Sequence, residues 1–242
     1  MSFQIGQRVG GYEFIDFISS SKDGVAFKVR NILAHRFEML KVLPENLKDD
    51  HDRVSRFFRE VKLHASLLHP NIVTFFNAME LERELVMTTE LVEGTTLADR
   101  LARGPLPWKE AIGYVSQVLA ALGCAHEHGV VHRDITPQNM IITPDGVVKL
   151  AGFGLAKTDT DAQLTQLGTV VGSVRYISPE QVKAVTAPDP RSDIYSVGVV
   201  LYEALTGRVP FDSKSQFEIM LLHVNTAHMD SCWSQSLILC PK

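Results

Sequence analysis

From Tyr12 to Val92 the apolar residues come in short alternating runs. YEFIDFI (12–18) and VAFKVRN (25–31) flank a Ser/Lys/Asp/Gly turn, and FEMLKVL (37–43) is a third run that Pro44 ends. Alternation bounded by turn residues predicts strands. The segment DDHDRVSRFFREVKLHASLLHP breaks this rhythm. Val54, Phe57, Phe58, Val61, Ala65 and Leu68 recur at steps of three and four up to Pro70, which predicts a helix with those residues inward. NIVTFFNAM and ELVMTTELV supply two more strand-like runs.

After VEG (92–94) the pattern becomes helical. PWKEAIGYVSQVLAALGCAHEHG places Ile112, Val115, Leu119 and Leu122 on one expected inward face and stops at Gly129. MIITPDGVVKL predicts a short hairpin around Pro144-Asp145-Gly146. SDIYSVGVVLYEALTG is apolar nearly all round and ends at Gly207, the pattern of a helix buried on every side. The expected architecture is α+β: a small, mostly antiparallel sheet lobe with one helix, then a larger, mainly helical lobe. A cleft between two such lobes is a favoured ligand site.

Apolar residues make up 45% of the 242 and charged residues 21%, which fits a globular chain and not a disordered one. A formal charge of -4 argues against sequence-independent nucleic-acid binding, which needs a basic excess. Cys124, Cys232 and Cys240 are too few and too scattered for a disulfide framework or a zinc site, so a reducing, cytoplasmic setting is expected. MSFQIGQRVGGYEF lacks the basic-then-apolar order of a signal peptide. No apolar run approaches the roughly 18–20 residues of a membrane span.

The chemistry concentrates in VVHRDITPQNMIIT, where His132-Arg133-Asp134 is followed by Asn139 and a hairpin. That is the catalytic-loop pattern of protein kinases. Other motifs keep the same order and separation: Lys41 in EMLKVL, Glu60 in FFREVKLHASLLHP, HPNIV (69–73), Ser178-Pro179-Glu180 and RSDIYSVG. The chain resembles the eukaryotic-type serine/threonine protein kinases, particularly the bacterial ones, from about Tyr12 to about Val224. HPNIV and the Ser-Pro-Glu segment set it apart from small-molecule phosphotransferases that share a two-lobed fold.

The resemblance implies a two-lobed kinase-like fold, with a sheet lobe over 1–91, a partial helical lobe over 92–226 and a divergent tail over 227–242. It implies ATP with Mg, and a protein as substrate or binding partner. Lys41, paired with Glu60, would hold the nucleotide phosphates. Ile18, Gly24, Ala26, Met39, Thr89, Glu90 and Val92 would line the nucleotide site, the last three as back wall and hinge. Asp134 would orient the attacking hydroxyl and Asn139 would hold the metal. His132 is expected to shape the loop as a core residue, and Asp193 to tie the buried helix to it. Thr158, Thr160, Thr165 and Thr169 lie where an activation segment would carry phosphorylation.

Four departures from the family pattern stand out. The glycine-rich nucleotide loop reads Ser19-Ser20-Ser21-Lys22-Asp23-Gly24, so only Gly24 survives and a looser phosphate loop is expected. Thr136 replaces the lysine that balances charge on the transferring phosphoryl group, and one such contact is worth roughly 10²–10³ in rate. Gly152 replaces the metal-bridging aspartate of Asp-Phe-Gly. The tail AHMDSCWSQSLILCPK matches nothing in the pattern, so Glu180 is expected to lack its arginine partner and the helical lobe to be short of core. The resemblance therefore implies an impaired kinase or, alternatively, a pseudokinase that keeps the fold as a nucleotide- or protein-binding scaffold.

Overall fold

The computed structural model describes residues 3–21, 24–43, 58, 61–153, 173–183 and 189–226. They fall into two compact units divided after Glu93, with Phe153 belonging to the first.

The first unit is a six-stranded sheet built from β1 (Arg8–Val9), β2 (Tyr12–Ser21), β3 (Gly24–Asn31), β4 (Arg36–Val42), β5 (Phe75–Leu81) and β6 (Glu84–Glu90). The strand order is β1-β2-β3-β4-β6-β5, and every neighbouring pair is antiparallel. Successive side chains point to opposite faces, so the register sorts the residues. One face carries Phe27, Val29, Leu40 and Val42, which join Phe3, Tyr12, Phe14, Leu81 and Val86 in the core. Phe3 stacks on Phe14 with ring centroids 4.7 Å apart, and Phe14 meets Phe27 edge-on at 5.3 Å. Each ring buried this way contributes about 1.5–3 kcal/mol. The other face carries Ala26 opposite Lys41, Lys41 opposite Met87, and Met39 opposite Thr89.

Two expectations for this unit change. The serine run is not a loose loop: Ser19, Ser20 and Ser21 continue β2 and pair with Ala26, Val25 and Gly24, after a bulge between Phe17 and Ser19. The helix α1 (61–65) buries His64 and, beyond its end, Leu67, while Ala65 and Leu68 are exposed. A turn at Ser66 breaks the helical phase before it reaches Leu68. His64 lies inward because its Nε2 bonds the Val73 carbonyl (3.0 Å) and its ring lies against Phe75 and Phe153.

In the second unit, β7 (Thr95–Thr96), β8 (Met140–Ile142) and β9 (Val148–Leu150) form a small antiparallel sheet. The expected hairpin is β8–β9. Gln117 clasps its turn from α3 (Trp108–Glu127), accepting from Val148 N (2.8 Å) and donating to the Gly146 carbonyl (3.2 Å). The helix α2 (Leu97–Leu101) begins with a capping box between Thr96 and Asp99.

The long helix α3 packs on α5 (Pro190–Thr206). Its inward face is Ala111, Val115, Val118, Ala121, Leu122 and Ala125, whereas Ile112 and Leu119 are 44% and 39% exposed. The buried stripe is rotated toward the alanines and away from Ile112 and Leu119. The helix α5 starts at an Asp189 cap with Pro190 in its first turn, and ends at Gly207 in the left-handed region (φ 73°). It is buried along most of its surface but not all, since Ile194 is 48% exposed.

The helix α6 (Gln216–Asn225) turns Ile219 and His223 inward. His223 Nδ1 lies 2.7 Å from Tyr195 Oη, and its ring meets Phe211 edge-on at 4.9 Å. Burial pushes the His223 pKa down, partly offset by the backbone of Arg175 and Val174. Burial, and then the charge of Glu180, push the Tyr195 phenol up to about 12. Because the folded state holds the imidazole neutral, its stability contribution is complete at neutral pH. That contribution is lost as pH falls from the unfolded value of 6.5 toward the depressed folded value. Guanidinium unfolding between pH 7.5 and 5 should show stability falling, with a slope of at most about 1.4 kcal/mol per pH unit from this one proton. His223→Phe should flatten that slope, and an unchanged slope would rule this source out.

Candidate active site

Of the expected nucleotide-site residues in the first unit, Ala26, Met39, Lys41 and Thr89 share one face of the sheet, opposite the aromatic core. Thr89 is buried and its hydroxyl donates to the Glu90 carbonyl (3.3 Å). Glu90 has a local structural role, accepting from Thr74 N through its carboxylate (3.2 Å). Ile18 sits at the β2 bulge and is 44% exposed, and Gly24 opens β3. Val92 follows β6 at the end of the unit. Glu60 lies outside the described residues, as do Thr158, Thr160, Thr165 and Thr169.

The loop in the second unit that carries Asp134 is held by a set of directed hydrogen bonds. Asp193, fully buried in the first turn of α5, accepts from His132 N through Oδ2 (2.9 Å) and from Arg133 N through Oδ1 (2.7 Å). His126 Nε2 on α3 adds a third bond to Oδ2 (2.8 Å). His132 is 1% exposed, as expected of a core histidine. Its Nε2 donates to the Ala151 carbonyl (2.8 Å) while Nδ1 accepts from Asp134 N (3.3 Å). Both bonds are satisfied by the neutral Nε2–H tautomer.

Asn139 closes the loop. Its Nδ2 donates to the Asp134 carbonyl (2.7 Å) and to Asp134 Oδ2 (3.1 Å), and its backbone carbonyl accepts from Ala151 N (2.8 Å). Asp134 and Asn139 are thus brought together, and Asn139 Oδ1 is the amide end turned away from that contact. Thr136 is 5% exposed and precedes the short 3₁₀ turn Pro137–Asn139 without capping it through its side chain. Gly152 follows β9 with φ at 95°. A Cβ there would stand 3.2 Å from Asn139 Cγ and Nδ2 and 3.3 Å from His132 Cε1.

The segment Ser178-Pro179-Glu180-Gln181 forms the short helix α4 (Pro179–Val182), with a capping box between Ser178 and Gln181. Glu180 receives a hydrogen bond from Ser192 Oγ (2.5 Å) in the first turn of α5. Three residues that hold the site escaped the motif reading: His126, Gln117 and Gln181. Of these, only Gln181 left a signal in the sequence, the Ser-x-x-Gln spacing of a capping box.

A mixed sheet-and-helix fold carrying this loop, with an aspartate and an asparagine five residues apart, defines a kinase-like phosphotransferase architecture. The family model for the protein kinase domain matches residues 12–236, and the chain belongs to that family, among the eukaryotic-type serine/threonine kinases. It is 41% identical over 192 residues to the probable serine/threonine-protein kinase PknB of Lactococcus lactis, covering 79% of this chain and 30% of that one. It is 37% identical over 222 residues to the serine/threonine-protein kinase PrkC of Bacillus subtilis, covering 91% and 34%. With PknL of Mycobacterium tuberculosis it shares 38% over 203 residues, 84% of this chain and 51% of that one. The chain therefore spans about a third to a half of these curated relatives. A crystal structure of a point mutant of the Mycobacterium tuberculosis PknI kinase domain superposes with a TM-score of 0.71 at 27% identity, covering 88% of this chain and 81% of that one. Among the described residues, no helix is long and apolar enough to cross a membrane.

Proposed function

We propose that this chain is a serine/threonine protein kinase domain in which phosphoryl transfer from ATP to protein hydroxyls is impaired. The observation that carries the reading is Gly152. The family reaction uses ATP with a divalent metal, and the metal supplies charge neutralisation at the phosphates. The donors present do not fit that ion in the family's manner. Asn139 offers one amide oxygen, its Nδ2 being committed to Asp134, and Gly152 offers no side chain. Among the described residues no group of three or more His, Cys, Asp or Glu side chains replaces the missing carboxylate.

The remaining roles rest on this chain's own groups. Lys41 would engage the nucleotide phosphates. Asp134 would orient the substrate hydroxyl and accept its proton, with Oδ2 steadied by Asn139 Nδ2. Thr136 brings a neutral hydroxyl where a cation would offset the developing charge. A second reading, a binding module without transfer, draws on a contrast. The groups that hold the fold, such as Asp193 and His132, keep full sets of partners, while the substituted positions are those that would touch phosphate or metal.

The test combines thermal shifts by ATP, with and without magnesium, and a radiolabel transfer assay. The expected result is weak nucleotide binding that depends little on magnesium, with little transfer. Strong magnesium-dependent turnover by the unmodified chain would overturn the proposal.

A further inference from the structure

Arg133 adopts a conformation that arginine rarely takes, with φ at 64°. A left-handed backbone at a non-glycine residue costs about 1–2 kcal/mol and persists only where its surroundings over-determine it. Here the two peptide units that flank the strained residue are both pinned. The N–H of Arg133 is held by Asp193 Oδ1 (2.7 Å). The next unit, joining Arg133 to Asp134, is held at both ends: its N–H donates to His132 Nδ1 (3.3 Å), and its carbonyl accepts from Gln181 Nε2 (2.8 Å).

Gln181 reaches that carbonyl from α4, 48 residues further along the chain. Its amide is divided between two tasks. The Oε1 end accepts from Ser178 N (3.0 Å), completing the capping box that starts α4, and the Nε2 end is left for Arg133. A glutamate at this position would cap equally well but would set a carboxylate oxygen against a carbonyl oxygen. The loop contact therefore uses the one feature that distinguishes glutamine from the other capping-box residue.

We propose that Gln181 is a positioning residue for Asp134, acting through the carbonyl of Arg133, and that it links the Ser178–Gln181 segment to the catalytic loop. The peptide plane that Gln181 fixes is the one from which Asp134 projects, so releasing the carbonyl frees the carboxylate's direction without touching it. The proposal rests on the reading of Asp134 as the site's functional carboxylate, but its test needs no turnover.

The experiment is amide hydrogen exchange, resolved by residue, on the full chain without nucleotide. It compares the unmodified chain with Gln181→Glu, which keeps only the acceptor, Gln181→Lys, which keeps only a donor, and Gln181→Met, which keeps neither. Losing one hydrogen bond should speed exchange of the Asp134 amide by about fivefold in the Glu and Met variants. The Lys variant should stay close to the unmodified chain at Asp134 while losing protection in α4. Unchanged protection of the α5 amides shows that each variant is folded. Asp134 exchange in Gln181→Glu equal to that of the unmodified chain would reduce Gln181 to a helix cap and overturn the proposal, as would Gln181→Lys behaving like Gln181→Met. Absence of kinase activity would bear on the reading of the site and leave this result untouched.

Discussion

Asp193→Ala should lower the unfolding free energy by about 3–5 kcal/mol, the range for removing one partner from a buried charged network. The carboxylate is fully buried and collects three donors: His132 N, Arg133 N and His126 Nε2. Alanine would strand all three, and each unsatisfied buried donor costs about 1–3 kcal/mol before relaxation. The strained Arg133 would also lose the clamp on its N–H. Asp193→Asn is expected to fall between, because one oxygen still accepts while the new NH₂ faces a donor. Guanidinium chloride unfolding followed by circular dichroism reads both variants. A loss below about 1 kcal/mol for Asp193→Ala would mean that water replaces the carboxylate and that the loop does not depend on it.

Gly152→Asp is expected to move nucleotide handling and stability in opposite directions. Magnesium-dependent ATP affinity should rise, and transfer should increase by roughly 10²-fold, the scale of restoring one electrostatic contact to the transition state. Stability should fall by about 1–2 kcal/mol, because the backbone keeps φ near 95° and the new Cβ stands 3.2–3.3 Å from Asn139 and His132. Aspartate tolerates the left-handed region better than most residues. The amide end of Asn139 has room to turn, but the His132 ring is fixed at both nitrogens. Gly152→Ala separates the two effects, taking the strain without supplying a ligand. If the Asp and Ala variants bind ATP alike in magnesium, the missing carboxylate is not the limiting defect, and Thr136→Lys becomes the variant to measure.

Much of this was legible in the sequence because it lies in short, chemically distinctive runs. His132-Arg133-Asp134 with Asn139 marks the loop, and alternation marks β2 to β4. Periodicity misled where packing obeys shape more than hydrophobicity. In α3 the buried face is Ala111, Val115, Val118, Ala121, Leu122 and Ala125, and Ile112 and Leu119 stay exposed despite their size. In α1 the turn at Ser66 cuts the helical phase, and His64 takes an inward position because a carbonyl and two rings await it. The serine run looked like an open loop, yet hydrogen-bonding partners across the hairpin made it strand.

By itself the sequence determined the family, the order of the elements, and which groups are chemically absent. Gly152 and Thr136 have no carboxylate and no amine whatever surrounds them. Only the tertiary structure decided how Asp134 is held. Beyond Asp193, which the family resemblance already implied, that depends on His126 of α3, which bonds the Asp193 carboxylate, and on Gln181 of α4, which holds the Arg133 carbonyl. A hydrogen bond needs donor and acceptor within about 3 Å and aligned. Separation along the chain carries no information about that distance, so such contacts become visible only once the helices are placed.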